Sequence, residues 1–264
     1  KGTKYLPQYH YSTPDTVCDY YGLNREEARS AGMNSRMFNS FLDGTKSALE
    51  MAAISNSTLL KPHPNGLQFP PVGMDHLSQI LRPRNDGGTL DFSGTVEVVS
   101  SLERDGRPVF KDLRWGVYVV LEAGNEYAAK CFKQYGMNTD DTGRFSSMYK
   151  PFHLIGMELN TSIFSAAILK KATGHTKEFF GDVIATAKQN LKRGQILDGE
   201  GGFTVWGKLY PAEVAKKIDG LPIGLTNKVK LKNDIEKDQP VCWSDVEPDM
   251  GCPVVQIREK MQLG

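Results

Sequence analysis

The sequence predicts an α+β protein: a domain in which an antiparallel sheet packs on a long helix, followed by a small β-rich domain. Three observations carry this. Ser35 to about Thr58 holds no proline and many good helix formers. Valine-rich alternating runs between 94 and 123 flank an Asp105-Gly106 hairpin signal. From Asp182 onward the texture changes to glycines and short apolar pairs. The expected domains are therefore 1–181 and 182–264.

A chain of 264 residues suffices for one or two cores. Its 32 Lys and Arg nearly balance 31 Asp and Glu, so no overall basic field draws in nucleic acid or anionic lipid. No run approaches the roughly 18 apolar residues that span a bilayer. The start KGTKYLPQYHYSTP has neither a signal-peptide apolar core nor an initiator methionine, which predicts a cytoplasmic protein whose chain begins inside a longer one. Cys18, Cys131, Cys242 and Cys252 include no C-x-x-C and are expected to be reduced, mostly buried thiols.

In order, Asn24 with Glu27 starts a short helix that Gly32 stops. The Ser35–Thr58 helix follows and runs through Gly44. Residues 60–90 hold five prolines and predict a loop with one short turn of helix around Asp75 to Leu81. GTVEVVSSLER, RPVF and RWGVYVVLEA then form the antiparallel sheet. A helix is expected from Glu126 to Tyr135, closed by Gly136, then a loop through 143–154, and a helix from about Glu158 to Ala172. In the last region one helix is expected near Pro211 to Lys217.

On the long helix Asn39, Asp43, Lys46 and Glu50 fall in one stripe about 60° wide, and most of the remaining circumference is apolar. One reading is a solvated ladder of weak surface pairs. The other makes the stripe the floor of an active-site cleft: Lys46 donates a proton or polarises a carbonyl, while Asp43 and Glu50 set its ionisation. A second cluster, GRFSSMYKPFHL at 143–154, gathers Arg144, Tyr149, Lys150 and His153. Arg144 and Lys150 suit a phosphate or carboxylate, and His153 or Tyr149 suits proton transfer. The plain alternative is a solvated Lys150 and a packed His153 before the apolar run LIGM. Arg82, Arg84 and His63 read as solvated loop charge, or a lid or dimer contact. A divalent ion near Lys46 is conceivable, yet no residues have metal-site spacing, and Asp198 and Glu200 are explained by turn geometry.

AKQNLKRGQ at Ala187–Gln195 and LKNDIEKDQ at Leu231–Gln239 align without gaps, an internal repeat that implies two halves completing one core. The stretch LKNDIEKDQPVCWSDVEPD resembles the signature of SAF domains of the β-clip fold. FLDGTKSALEMA is similar to the region following the dinucleotide-binding domain in homoserine-dehydrogenase-like proteins. LQFPPVG, GTVEVVSSLERDGRPVF, LRWGVYVVLEA, YKPFHLIGMEL and AKQNLKRGQILDGEGGFTVWGKL resemble the DXR-like subgroup, named for proteins able to replace 1-deoxy-D-xylulose 5-phosphate reductoisomerase.

The resemblance implies a dinucleotide-binding Rossmann domain, a middle domain supplying substrate and catalytic groups, a C-terminal SAF domain, and a homodimer. Residues 1–181 are then the substrate-binding and catalytic domain. The sequence has no G-x-G-x-x-G after a strand, so NADP or NAD is expected to be bound mainly by a domain absent from this chain. The leading expectation is an NAD(P)H-dependent oxidoreductase or reductoisomerase acting on a ketose phosphate or related polyol-derived carbonyl compound. Lys46, Asp43, Glu50 and His153 are its catalytic candidates, and Asn39, Arg144, Tyr149 and Lys150 hold an anionic or polyhydroxylated substrate. The alternatives are a non-catalytic carbohydrate-binding or assembly module and a sugar-acid dehydratase or lyase.

Overall fold

The computed structural model describes residues 1–154 and 156–263. In chain order the helices are α1 (Val17–Tyr21), α2 (Arg25–Ser30), α3 (Ser35–Leu42), α4 (Thr45–Thr58), α5 (Leu77–Ile80), α6 (Glu126–Gln134), α7 (Leu159–Phe164), α8 (Ala212–Lys217) and α9 (Pro253–Leu263). The strands are β1 (Gly2–Thr3), β2 (Val99–Ser100), β3 (Val117–Glu122), β4 (Asn138–Thr139), β5 (Phe145–Lys150), β6 (Gly181–Ala187), β7 (Ile196–Asp198), β8 (Val205–Pro211), β9 (Asn227–Leu231) and β10 (Val246–Glu247). The content is α+β with small, mainly antiparallel sheets.

The chain forms two compact units, each discontinuous: Lys1–Leu6 with Gln68–Lys177, and Pro7–Leu67 with Glu178–Gly264. One break falls close to the expected boundary at 181. Residues 7–67, however, group with the C-terminal region rather than with 68–177.

In the first unit β3 pairs antiparallel with β5, and β5 with β4. One face of β3 is half-buried: Tyr118 and Val120 pack on a core of Val72, Leu77, Leu81, Val99 and Leu113. Three expectations need correction here. The runs around Asp105-Gly106 do not build the sheet: that hairpin is a tight turn with a single bridge, Leu102 to Pro108, and β2 pairs instead with β1, in parallel. The stretch 143–154, expected as a loop, contains β5, the central strand. Its alternation is masked because its first three residues, Phe145 to Ser147, are all buried and the next three exposed. The helix expected to Ala172 is short: α7 ends at Phe164, and a wider π-type turn follows over Ser165–Leu169. Ile155 of the LIGM run lies outside the described residues.

In the second unit the expected 35–58 helix is two helices. Gly44 adopts φ 91°, the left-handed region that only glycine enters cheaply, and the chain turns a corner between α3 and α4. Asn34 caps α3 by accepting from Met37 N–H at 3.1 Å. The buried side of α4 carries Ser47, Ala48, Met51, Ala52 and Ser55. It packs on β6 and β8, which are antiparallel from Gly181↔Pro211 to Ala187↔Val205. The sheet behind the long helix therefore comes from the C-terminal region, not from residues 94–123. Contact is close: a Cβ on Gly207 would meet Val183 Cγ1 at 2.7 Å and Thr45 Cγ2 at 2.9 Å, and Gly207 N–H donates to Thr45 Oγ1 at 2.8 Å.

The repeat is expressed as reciprocal hydrogen bonds. Leu191 N–H donates to Ile235 O at 2.8 Å and Ile235 N–H to Leu191 O at 2.9 Å. Gly194 N–H donates to Leu231 O and, at the matching position, Asp238 N–H to Ala187 O, both at 2.9 Å. Arg193 N–H donates to the Asp234 side chain and Lys237 N–H to that of Asn190. The matched turn residues Gly194 and Asp238 share positive φ, 84° and 69°. The two copies clasp one another about a local two-fold relation, with Leu191 and Ile235 buried at its centre.

Candidate functional site

The corner between α3 and α4 concentrates buried charge. Asp43 has no exposed surface. Its Oδ1 accepts Thr45 N–H at 2.9 Å, which starts α4, and its Oδ2 lies 2.8 Å from the Lys188 ammonium. Lys188 also donates to Ser12 O at 2.7 Å and Gly202 O at 2.8 Å. The His10 ring donates from Nδ1 to Asp43 O at 2.7 Å and stacks on Trp206 at 3.7 Å between centroids. A carbonyl can only accept, so Nδ1 carries the proton. Burial, the largest influence, pushes His10 down to about 4, and the ring is neutral near pH 7.

The predicted stripe is accordingly divided. Asn39 and Asp43 lie inside the unit, and Asn39 Nδ2 donates to Ser12 O at 3.1 Å and Gly201 O at 3.0 Å. Lys46 and Glu50 belong to a different helix, α4, one turn apart and both half-buried. The correction has a simple origin: angular spacing along one axis means nothing across the Gly44 corner.

The Asp198–Thr204 turn closes over the same corner. Asp198 accepts from Phe203 N–H at 2.7 Å and Thr204 N–H at 3.0 Å, and the Gly201 and Gly202 carbonyls are taken by Asn39 and Lys188. A Cβ on Gly201 would meet Arg36 O at 2.1 Å. The turn leads into strand β8, and its groups serve its own closure. It does not fit the pyrophosphate of a dinucleotide, which needs free amides at a helix start. Among the described residues no group of three His, Cys, Asp or Glu could hold a metal ion, and no helix is long and apolar enough to cross a membrane.

Arg144, Tyr149, Lys150 and His153 lie in the other unit, on β5 or just outside its ends. Arg144 pairs with Glu122 and, at 3.0 Å, with Asp86. It borders an open cleft of about 660 Å³ lined also by Gly124, Asn125 and Glu126 at the start of α6. Lys150 pairs with Glu158. Tyr149 is 43% exposed, and His153 shares a hydrogen bond from Nδ1 to Trp115 O at 2.8 Å. Arg82, expected as solvated, is instead buried in an ion pair with Asp140.

Two buried groups, Lys188 and Glu97, and the partly buried His10 escaped the sequence reading. Lys188 sits inside the repeat, where its matched partner Lys232 is exposed, so its type and spacing carry no signal. His10 precedes the first helix among polar neighbours. Glu97 was legible in principle, as a lone acid between Val96 and Val98. Its carboxylate accepts from Gln68 N–H at 3.1 Å, Phe69 N–H at 3.3 Å and Val98 N–H at 2.8 Å. Burial outweighs these bonds and raises its carboxyl to about 7.

The chain matches the family described as oxidoreductase DRL, catalytic domain, over residues 1–159, and it belongs to that family. No curated protein matches it. The match covers Asn39, Asp43, Lys46, Glu50, Arg144, Tyr149, Lys150 and His153, and the protein is an oxidoreductase by family.

Proposed function

We propose that the chain is the substrate-side part of an NAD(P)H-dependent, DXR-like oxidoreductase that reduces a ketose phosphate or a related polyol-derived carbonyl compound, as a reductase or reductoisomerase. The observation that carries this is the pair Lys46 and Glu50, half-buried one turn apart on α4, within the family match. In this reading the Lys46 ammonium polarises the substrate carbonyl oxygen and gives it a proton, with the Glu50 carboxylate one turn away on the same helix. The reducing equivalent is assigned to NADPH or NADH held by a dinucleotide-binding domain outside the described residues.

Arg144 and Lys150 suit an anionic substrate group, which would exchange for the carboxylates of Glu122, Asp86 and Glu158. Tyr149 and His153, on and just after the same strand as Lys150, are assigned as proton donors. The clasped repeat supports reading the C-terminal region as an SAF-type β-clip. A cytoplasmic homodimer is the accompanying expectation.

The test is NAD(P)H oxidation by the product of the full-length gene against a panel of ketose phosphates. Lys46→Ala is expected to lower kcat by about 100-fold or more while leaving thermal stability nearly unchanged. Turnover retained in Lys46→Ala rejects the assignment.

A further inference from the structure

Lys188 and Asp43 form a buried ion pair, with side chains 2% and 0% exposed, that the proposed chemistry does not use directly. Such a pair is expensive. Removing two charges from water costs several kcal/mol per ion, and an apolar pair of similar volume commonly serves stability as well or better. The repeat sharpens the question, because the lysine at the matching place in the second copy, Lys232, is exposed. The clasp itself therefore does not require a buried lysine. What differs at the first copy is the neighbour: the α3–α4 corner.

The Lys188 ammonium holds three separate segments. It takes Ser12 O from the chain before α1, Gly202 O from the turn before β8, and Asp43 Oδ2 from the corner. Asp43 is in turn fixed at its other oxygen by Thr45 N–H and at its carbonyl by His10. Gly44 alone, at φ 91°, would leave the corner a hinge. With Asp43 held on three sides, the start of α4 has one direction, and the first turn of α4 carries Lys46.

We propose that Lys188 is a positioning residue: through Asp43 it fixes the N-terminal turn of α4 and so the placement of Lys46, with Glu50 one turn beyond. This rests on the reading of Lys46 as the reacting side chain. Asp43 then belongs with Lys188 as a positioning group and does not touch substrate.

The test compares Lys188→Met with Lys232→Met in the full-length protein by two readouts. One is kcat and KM. The other is the rate of acylation of the Lys46 amine against pH, followed by peptide mass spectrometry, which needs no turnover. For Lys188→Met the expected result is a fall in kcat on the order of 10- to 100-fold, KM nearly unchanged, and a displaced Lys46 acylation profile. Lys232→Met changes neither.

If Lys188→Met does not fold, Lys188→Met combined with Asp43→Asn removes the uncompensated charge and keeps the acceptor for Thr45 N–H. The folded double variant is expected to show the same loss and displacement. A folded variant of either kind with the wild-type acylation profile and kcat overturns the proposal. Turnover retained in Lys46→Ala rejects the functional reading instead, while the acylation profile still reports whether Lys188 sets the surroundings of Lys46.

Discussion

Burial raises the Glu97 carboxyl to about 7 and lowers the His10 ring to about 4, so the two groups bear on stability with opposite sign. Between about pH 4.5 and 7 folded Glu97 keeps a proton that the unfolded chain has released. Its contribution is complete below the unfolded value and is lost as pH rises through about 7. For His10 the unfolded chain binds the proton first. Its contribution is present above about 6.5 and is lost as pH falls toward 4. Each effect is on the order of a few kcal/mol at most. Glu97→Gln removes the acid-favouring half and keeps an acceptor for the amides of 68, 69 and 98. Its melting temperature should therefore fall more steeply on acidification from pH 7 to 4.5 than that of the wild type. Thermal denaturation across that range checks it, and parallel curves reject the assignment of Glu97. For His10, NMR of the imidazole should show a neutral ring with the proton on Nδ1 down to about pH 4.

At the scale of elements, glycines with the same sign of φ are not equivalent. Gly194 has φ 84°, yet its repeat counterpart is Asp238 at φ 69°, which shows that this turn accepts a side chain. Around Gly194 a Cβ would meet nothing within 4 Å. Gly194→Asp should cost no more than about 1 kcal/mol, the ordinary strain of a left-handed Asp. Gly201→Ala places a carbon 2.1 Å from Arg36 O, a backbone atom that cannot move aside, and should be far more damaging. Urea unfolding of the two variants separates them, and equal losses would contradict the packing described for the turn before β8. The same scale shows what the sequence discloses. Elements with a local signal were legible: α2 behind its Asn24 cap, which accepts from Glu26 and Glu27 N–H; α6 behind Asn125; α8; and the repeat. Elements defined by distant partners were not. The 35–58 helix former run contains one glycine, and only the docking of α4 on β6 and β8 turns that glycine into a corner. Strand β5 lacks alternation because it is the centre of a sheet whose neighbours, β3 and β4, bury its first half and leave its second half exposed. Of the site, residue types were legible and partners were not: Asp43 was singled out, but its partner Lys188 lies far along the chain.

At the scale of the molecule, the C-terminal region depends on the N-terminal third. Strands β6 and β8 have α4 as their cover, and Lys188 has Asp43 as its counter-charge. Gly181 is held as well, because Asn56 Oδ1 accepts its N–H at 2.8 Å and Asn56 Nδ2 donates to its carbonyl at 3.1 Å. A fragment of residues 178–264 alone therefore exposes the apolar face of β6 and β8 and leaves Lys188 without its counter-charge, losses that together rival the roughly 5–15 kcal/mol by which a domain is stable. It should show no cooperative unfolding transition. Residues 7–67 joined to 178–264 through a flexible glycine-serine linker restore the cover and the counter-charge, and should unfold cooperatively in urea. The clasp gives the experiment its sharpest reading. Leu191 and Ile235 bind each other reciprocally within 178–264, so this fragment keeps the contacts between the two copies and lacks their N-terminal partners, α4 and its corner among them. If it folds cooperatively by itself, the clasp is a self-sufficient domain and the dependence on α4 is wrong. If only the joined polypeptide folds, the compact unit is the discontinuous one, and the helix bearing Lys46 and Glu50 is structurally inseparable from the repeat that supports it.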